Sequence, residues 1–175
     1  FNQNDLFNLE KGYKIKFINS LSGFKGAHLL GTKSKQGTLN VGIFTSVLHI
    51  SSAPPSMGIL FRPQSDDHQS LQNIKDTEEF TLSLVSESFV ENAHYTSANF
   101  SENQSEFDTC GLTPQFLKNF NAPFVKESHL KIGFKLNSIV EVPLNGMSLV
   151  IGDIIHLDTA SEAIGNDGQL HLEKI

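Results

Sequence analysis

The chain has 175 residues, 38% of them hydrophobic and 18% charged, enough for one domain with a core of its own. Its formal charge is −6 with no basic cluster, which argues against nucleic acid as a partner. Cys110 is the one cysteine, so a disulfide framework and a multi-cysteine metal site are excluded, and no apolar run approaches the ~20 residues that span a bilayer.

Residues 1–16 read as an N-terminal extension, with Phe1, Leu6 and Phe7 expected to pack it against the body. The chain starts at Phe1 rather than methionine, as a trimmed chain would, and shows no leader segment within itself. Ala27–Thr32 reads as a strand, Lys33–Thr38 as a polar turn with Gly37, and Leu39–Phe44 as the returning strand of a hairpin. Met57–Phe61 is a further strand. Between it and Val41–Phe44 lies a stretch rich in hydroxyls (Thr45, Ser46, Ser51, Ser52) that ends in Pro54-Pro55, and this is expected to be a loop.

The period then changes. Asp66, Asp67 or Ser70 caps a helix through Leu71, Ile74 and Thr77. Phe80–Val85 alternates as a half-buried strand. Ser86 caps the next helix, with Phe89, Val90 and Ala93 as its apolar stripe. Residues 96–112 are polar and irregular, and the two glycosylation tripeptides starting at Asn99 and Asn103 read as unmodified loop. Thr113-Pro114 has the form of a helix start, expected to run through Leu117 and Phe120. Residues 130–142 form a strand, Asn145-Gly146 a hairpin turn, and Met147–Leu157 the returning strand, with Gly152 as a bulge. Asn166-Asp167-Gly168 is another turn. Many strands with a few short helices make a mostly-β barrel or sandwich rather than alternating βαβ units.

No GxSxG, HExxH, P-loop or GxGxxG pattern occurs. The seven histidines never fall three or four apart on one predicted helix, so no metal site is expected, and His28 and His156 read as structural. Cys110 reads as a small, partly buried residue without the basic surroundings of a reactive thiolate. The hydroxyl stretch closing on Arg62 is a plausible cradle for a phosphate: Thr45, Ser46, Ser51 and Ser52 supply hydroxyls, Arg62 a guanidinium fork, and the helix start near Ser70 its amides. The same residues also fit an ordinary loop.

In order along the chain stand SLSGFKGAHLLGT, NVGIFTSVLHISSAPPSMGILFRP, HQSLQNI followed by TEEF, AHYTSANF, SEF and GLT. Together they resemble the flavin reductase-like family of the FMN-binding split barrel, over roughly residues 17–160 of a single 1–175 domain. The resemblance implies a six-stranded Greek-key barrel with short peripheral helices, which dimerises with FMN held near the subunit interface. It implies that Thr45, Ser46, Val47 and Leu48 line the ring system and ribityl chain. It places Ser51, Ser52, Arg62, His68 and Ser70 around the phosphate, Asn40 at a polar edge of the ring, and Lys25 facing the flavin. His94 and Tyr95 would border the flavin or a nicotinamide, or serve as a helix-end histidine and a core tyrosine. Arg62 pairing with Asp66 or Asp67, and Lys25 as a solvated charge, are equal alternatives. The implied activity is hydride transfer from NADH or NADPH to flavin by a cytoplasmic enzyme. An FMN-binding electron carrier like the flavoredoxins is the alternative within this class, and a ligand-binding barrel without redox chemistry lies outside it. Relatives usually continue past the position of Ile175 with a segment that packs on the barrel.

Overall fold

The structure is a computed structural model that describes residues 1–63, 69–98, 100, 105–143 and 146–175. Its centre is one antiparallel sheet built from β1 (His28–Lys33), β2 (Leu39–Phe44), β3 (Val47–Ser52), β4 (Pro55–Phe61), β5 (Glu79–Leu84), β8 (Leu130–Val142) and β9 (Met147–Thr159). The spatial order is β2-β1-β5-β8-β9-β4-β3. The short strands β6 (Pro114–Gln115) and β7 (Phe124–Val125) pair apart from it.

The order explains the shape. β2 and β3 are the two edges of the sheet, yet only Thr45 and Ser46 separate them in sequence. Three Cα steps reach at most ~11 Å, so the two edges must approach at that corner and the sheet must curl. The edges are not hydrogen-bonded as strands, so the barrel stays split. The sheet has seven strands where the resemblance implies six.

The curled sheet encloses one core. Leu30, Ile59, Phe61, Phe80, Phe134 and Val150 fill it, and Leu71 and Ile74 of α3 (Gln69–Thr77) close one side. Phe80 and Phe134 stack with their ring centroids 4.9 Å apart. A Cβ on Gly152 would run into both side chains, which is why glycine stands there. Gly152 pairs in register with Leu136, and the irregularity lies opposite it at Asn137. The expected bulge is thus displaced to the neighbouring strand, and Gly152 serves close packing instead.

A second core lies outside the barrel. Leu29 and Val41 face outward from β1 and β2 and pack with Phe89, with Ala93 of α4 (Val90–Tyr95), and with Phe107 and Cys110 at α5 (Glu106–Thr109). β1 is therefore buried on both faces.

Four local expectations are corrected. The hydroxyl stretch after Ser46 is strand β3, not loop, because Val47, Leu48 and Ile50 favour extended backbone and pair with β4. Thr113-Pro114 begins β6, not a helix. Thr113 donates its N–H to the Glu127 carboxylate and accepts from Lys126 N–H, which holds the segment extended, and Asn119 at φ 64° is incompatible with a continuing helix. Val90 points to solvent although Phe89 and Ala93 are buried, and a 3₁₀ turn over Glu87–Phe89 precedes α4. The N-terminal extension forms α1 (Gln3–Phe7) and α2 (Lys11–Ser20), neither with a buried residue. Phe1 and Phe7 are 80% exposed, and the aromatic rings of this arm meet each other, Phe1 with Phe17 at 5.4 Å, rather than the body. Asp66, Asp67, His68, Asn99, Asn103 and Asn145 lie outside the described residues.

Candidate functional site

The corner where β2 passes to β3 opens into a cleft of about 550 Å³, within the usual range of small-molecule sites. Thr45 and Ser46 line it, and the Ser46 carbonyl accepts the Leu60 N–H at 3.0 Å, which fixes the corner to β4. Arg62, just past the end of β4, and Lys25, just before β1, supply two cations. Among the described residues no acidic side chain lines the cleft, although the protein as a whole is acidic. Phe24, Leu60 and Met147 add apolar wall, and Asn19 and Gly23 bring in the end of the N-terminal arm. Two cations, two hydroxyls and apolar surface suit an anionic ligand with a flat apolar body.

Lys25, Thr45, Ser46 and Arg62 are thus gathered in one place from three separate parts of the chain. Other candidates lie elsewhere. Val47 packs toward the barrel core, while Leu48 points outward from β3 and is exposed. Ser51 and Ser52 sit at the tip of the β3–β4 hairpin, where Ser51 Oγ accepts the Ala53 N–H and Ser52 Oγ meets His49 Nε2. Five residues of extended strand put Ser52 roughly 17 Å from Val47. His94 and Tyr95 are exposed on α4, which packs on β2. His68 lies outside the described residues.

Asn40 and Ser70 belong to a polar network outside the cleft lining. Asn40 is 8% exposed. Its Oδ1 accepts from Ser70 Oγ at 2.7 Å and from Thr32 Oγ1 at 3.4 Å, and its Nδ2 donates to Glu106 Oε1 at 2.9 Å. Asn73 Nδ2 donates to Thr32 Oγ1 at 3.1 Å. The network ties β1, β2, α3 and α5 together, and a buried network of this kind fixes its members only while it stays satisfied. Burial pushes the Glu106 carboxyl above its ordinary range, and its Oε2 has no partner among the described residues. Burial, with Glu106 beside it, pushes the Cys110 thiol up as well, as an inert thiol requires. Among the described residues no group of three or more metal-ligating side chains occurs.

Sequence reasoning missed Glu106, Phe24 and Met147. Glu106 carried no local signal, because its partner Asn40 is 66 positions away. Phe24 was visible only as a neighbour of Lys25.

Residues 24–172 match the family model of the flavin reductase like domain. The chain belongs to the flavin reductase like family. A protein from Shewanella frigidimarina assigned as a flavin reductase with a split barrel domain has a crystal structure similar to this one. They share 41% identity and a TM-score of 0.94, over 99% of this chain and 86% of that one. Nitrilotriacetate monooxygenase component B from Bacillus cereus shares the fold at a TM-score of 0.85 and 20% identity, over 99% of this chain and 87% of its own. Flavoredoxin of Desulfovibrio vulgaris gives a TM-score of 0.72 and 25% identity, over 86% and 78%. This flavin reductase-like chain is a split barrel and a flavin-related oxidoreductase. No described helix is long and apolar enough to cross a membrane.

Proposed function

We propose that the chain binds FMN in the cleft at the β2–β3 corner and reduces it with NADH or NADPH. In this reading it acts as a homodimer with the flavin near the subunit interface. The observation that carries this is the gathering of Lys25 and Arg62 with the hydroxyls of Thr45 and Ser46 in one cleft. Arg62 and Lys25 hold the phosphate, Thr45 and Ser46 hydrogen-bond along the chain of the cofactor, and Phe24, Leu60 and Met147 pack its apolar body. The flavin, when bound, supplies the hydride acceptor. The protein needs no nucleophile or triad for this; its side chains bind, orient and exclude water.

The family contains proteins called flavoredoxins as well as flavin reductases, so an electron carrier without its own NAD(P)H activity is the second reading. One experiment separates the two. The purified protein should be yellow and release FMN on denaturation, and its visible flavin band should bleach when NADH or NADPH is added without oxygen. A yellow protein that neither nucleotide bleaches supports the carrier; a colourless one that takes up no FMN sinks both. Arg62→Ala should weaken FMN binding about tenfold or more, the worth of a charge-assisted hydrogen bond in a partly open site. Unchanged affinity would remove Arg62 from the phosphate site.

A further inference from the structure

The arm of α1 and α2 precedes the residues that match the family model, which begin at Phe24. Neither helix has a buried residue, so core packing does not hold the arm in place. The end of the arm nevertheless reaches the cleft. Asn19, Gly23, Phe24 and Lys25 line it together with Thr45, Ser46 and Arg62.

Between α2 and β1 the chain runs as a strap, and two glycines shape it for different reasons. Gly23 has φ 74°, and a Cβ built there meets nothing within 4 Å. Conformation rather than space therefore calls for glycine at 23. Its N–H donates to the Ser20 carbonyl at 3.0 Å, which closes the end of α2. A Cβ on Gly26 would lie 3.1 Å from His28 Cε1, so close approach calls for glycine there. Phe24 and Lys25 stand between the two glycines and are carried to the cleft, with Phe24 fully exposed.

The end of α2 also holds Lys25. Lys25 Nζ donates to the Asn19 carbonyl at 3.4 Å, and Ser22 Oγ donates to the same oxygen at 3.4 Å. The last turn of α2 has no basic residue of its own. Lys25 is thus the cation that faces the negative end of this helix. An ammonium group has three donors, and Asn19 takes one of them, so Lys25 can keep this tether while it binds an anion in the cleft.

We infer that Gly23 and the last turn of α2 are positioning elements of the ligand site, holding Phe24 against the ring system of the flavin and Lys25 against its phosphate. The end of the arm is then part of the site, although Asn19 and Gly23 lie outside the matched family span. The inference rests on the reading of the cleft as a flavin site, and the test separates the two. Riboflavin carries the ring system without the phosphate, so comparing it with FMN shows which contact a variant has lost.

FMN and riboflavin are each titrated into the full chain freed of bound flavin, with flavin fluorescence as the readout. Position 23 is exposed, so its variants should keep the wild-type circular dichroism and melting. Gly23→Ala should weaken FMN binding about tenfold, the cost of forcing alanine into a left-handed conformation. Riboflavin should lose less, because only the Phe24 contact is at stake. Gly23→Asn should stay within about threefold of wild type for both ligands, because asparagine accepts a left-handed φ. Lys25→Ala should weaken FMN and leave riboflavin unchanged, and Phe24→Ala should weaken both. A Gly23→Ala chain that binds both ligands as the wild type does overturns the inference and leaves the flavin site standing. Equal losses in Gly23→Ala and Gly23→Asn overturn it too, because the presence of a side chain rather than backbone conformation would then be acting. A wild type that binds neither ligand removes the flavin reading and the inference with it.

Discussion

The β2-β1-β5 half of the sheet and the β8-β9-β4-β3 half share the barrel core but differ on their outer faces. On the first, Leu29 and Val41 look out into a second core of Phe89, Ala93 and Phe107 under short helices. On the second, Leu48, Ile50 and Val140 look out into solvent. Both faces are apolar in sequence. Burial therefore depends on what the intervening chain brings back: the segment between β5 and β8 folds over the first half, and the tight hairpins of β3–β4 and β8–β9 have no chain to spare for the second. The cleft lies at the corner where the edges of the two halves meet.

The largest expected effect tests the covered half. Phe107 is fully buried in the outer core, and Phe107→Ala should cost about 3–5 kcal/mol in urea unfolding, the range for a large aromatic that leaves a cavity. A loss below about 1 kcal/mol would mean that the helical cover contributes little and that the halves differ only in appearance.

The sequence carried much of this difference, but unevenly. β2 and β8 were read to the residue, because alternation and turn residues are local signals. β3 was hidden: its hydroxyls drew the reading toward a loop, while Val47, Leu48 and Ile50 were enough to pair it with β4. β6 was hidden because Pro after Thr opens a strand as readily as a helix when a partner, here Glu127, takes the Thr113 N–H. The outer core was invisible for a different reason. Phe107 sits in a polar stretch whose four-residue helix has no period to detect. At the cleft, Thr45, Ser46, Arg62 and Lys25 were named from sequence, but the site's apolar wall and the Asn40–Glu106 link needed the fold, since they join residues far apart in the chain.

A smaller effect sharpens the same half through pH. His28 begins β1 with its Nδ1 buried and unpartnered among the described residues, and burial lowers its pKa from the ordinary 6.5. The folded state then binds fewer protons than the unfolded one. Its contribution is complete above pH 6.5 and is lost as pH falls through the folded value. Glu106 acts with the opposite sign: its raised pKa gives a contribution present below 4.5 and lost as pH rises through the folded value. Between pH 7 and 5, the stability difference between wild type and His28→Gln should therefore shift against the wild type as the acid side is approached. A difference independent of pH would show that His28 is solvated in the folded chain.

The smallest effect belongs to the bare half. Val140 is 47% exposed on β8, opposite Leu149. Val140→Thr keeps the β-branch and the volume and changes only the polarity of one outer methyl. Because Val140 is exposed, water can satisfy the new hydroxyl, so the change should stay within about ±0.5 kcal/mol at dilutions where the chain is monomeric. The same substitution in the outer core would bury a hydroxyl away from water, which costs about 1–3 kcal/mol where no partner receives it. A cost above about 1 kcal/mol at Val140 in the monomer would mean that the chain covers this face itself. A cost that grows with protein concentration would place the cover in a second copy.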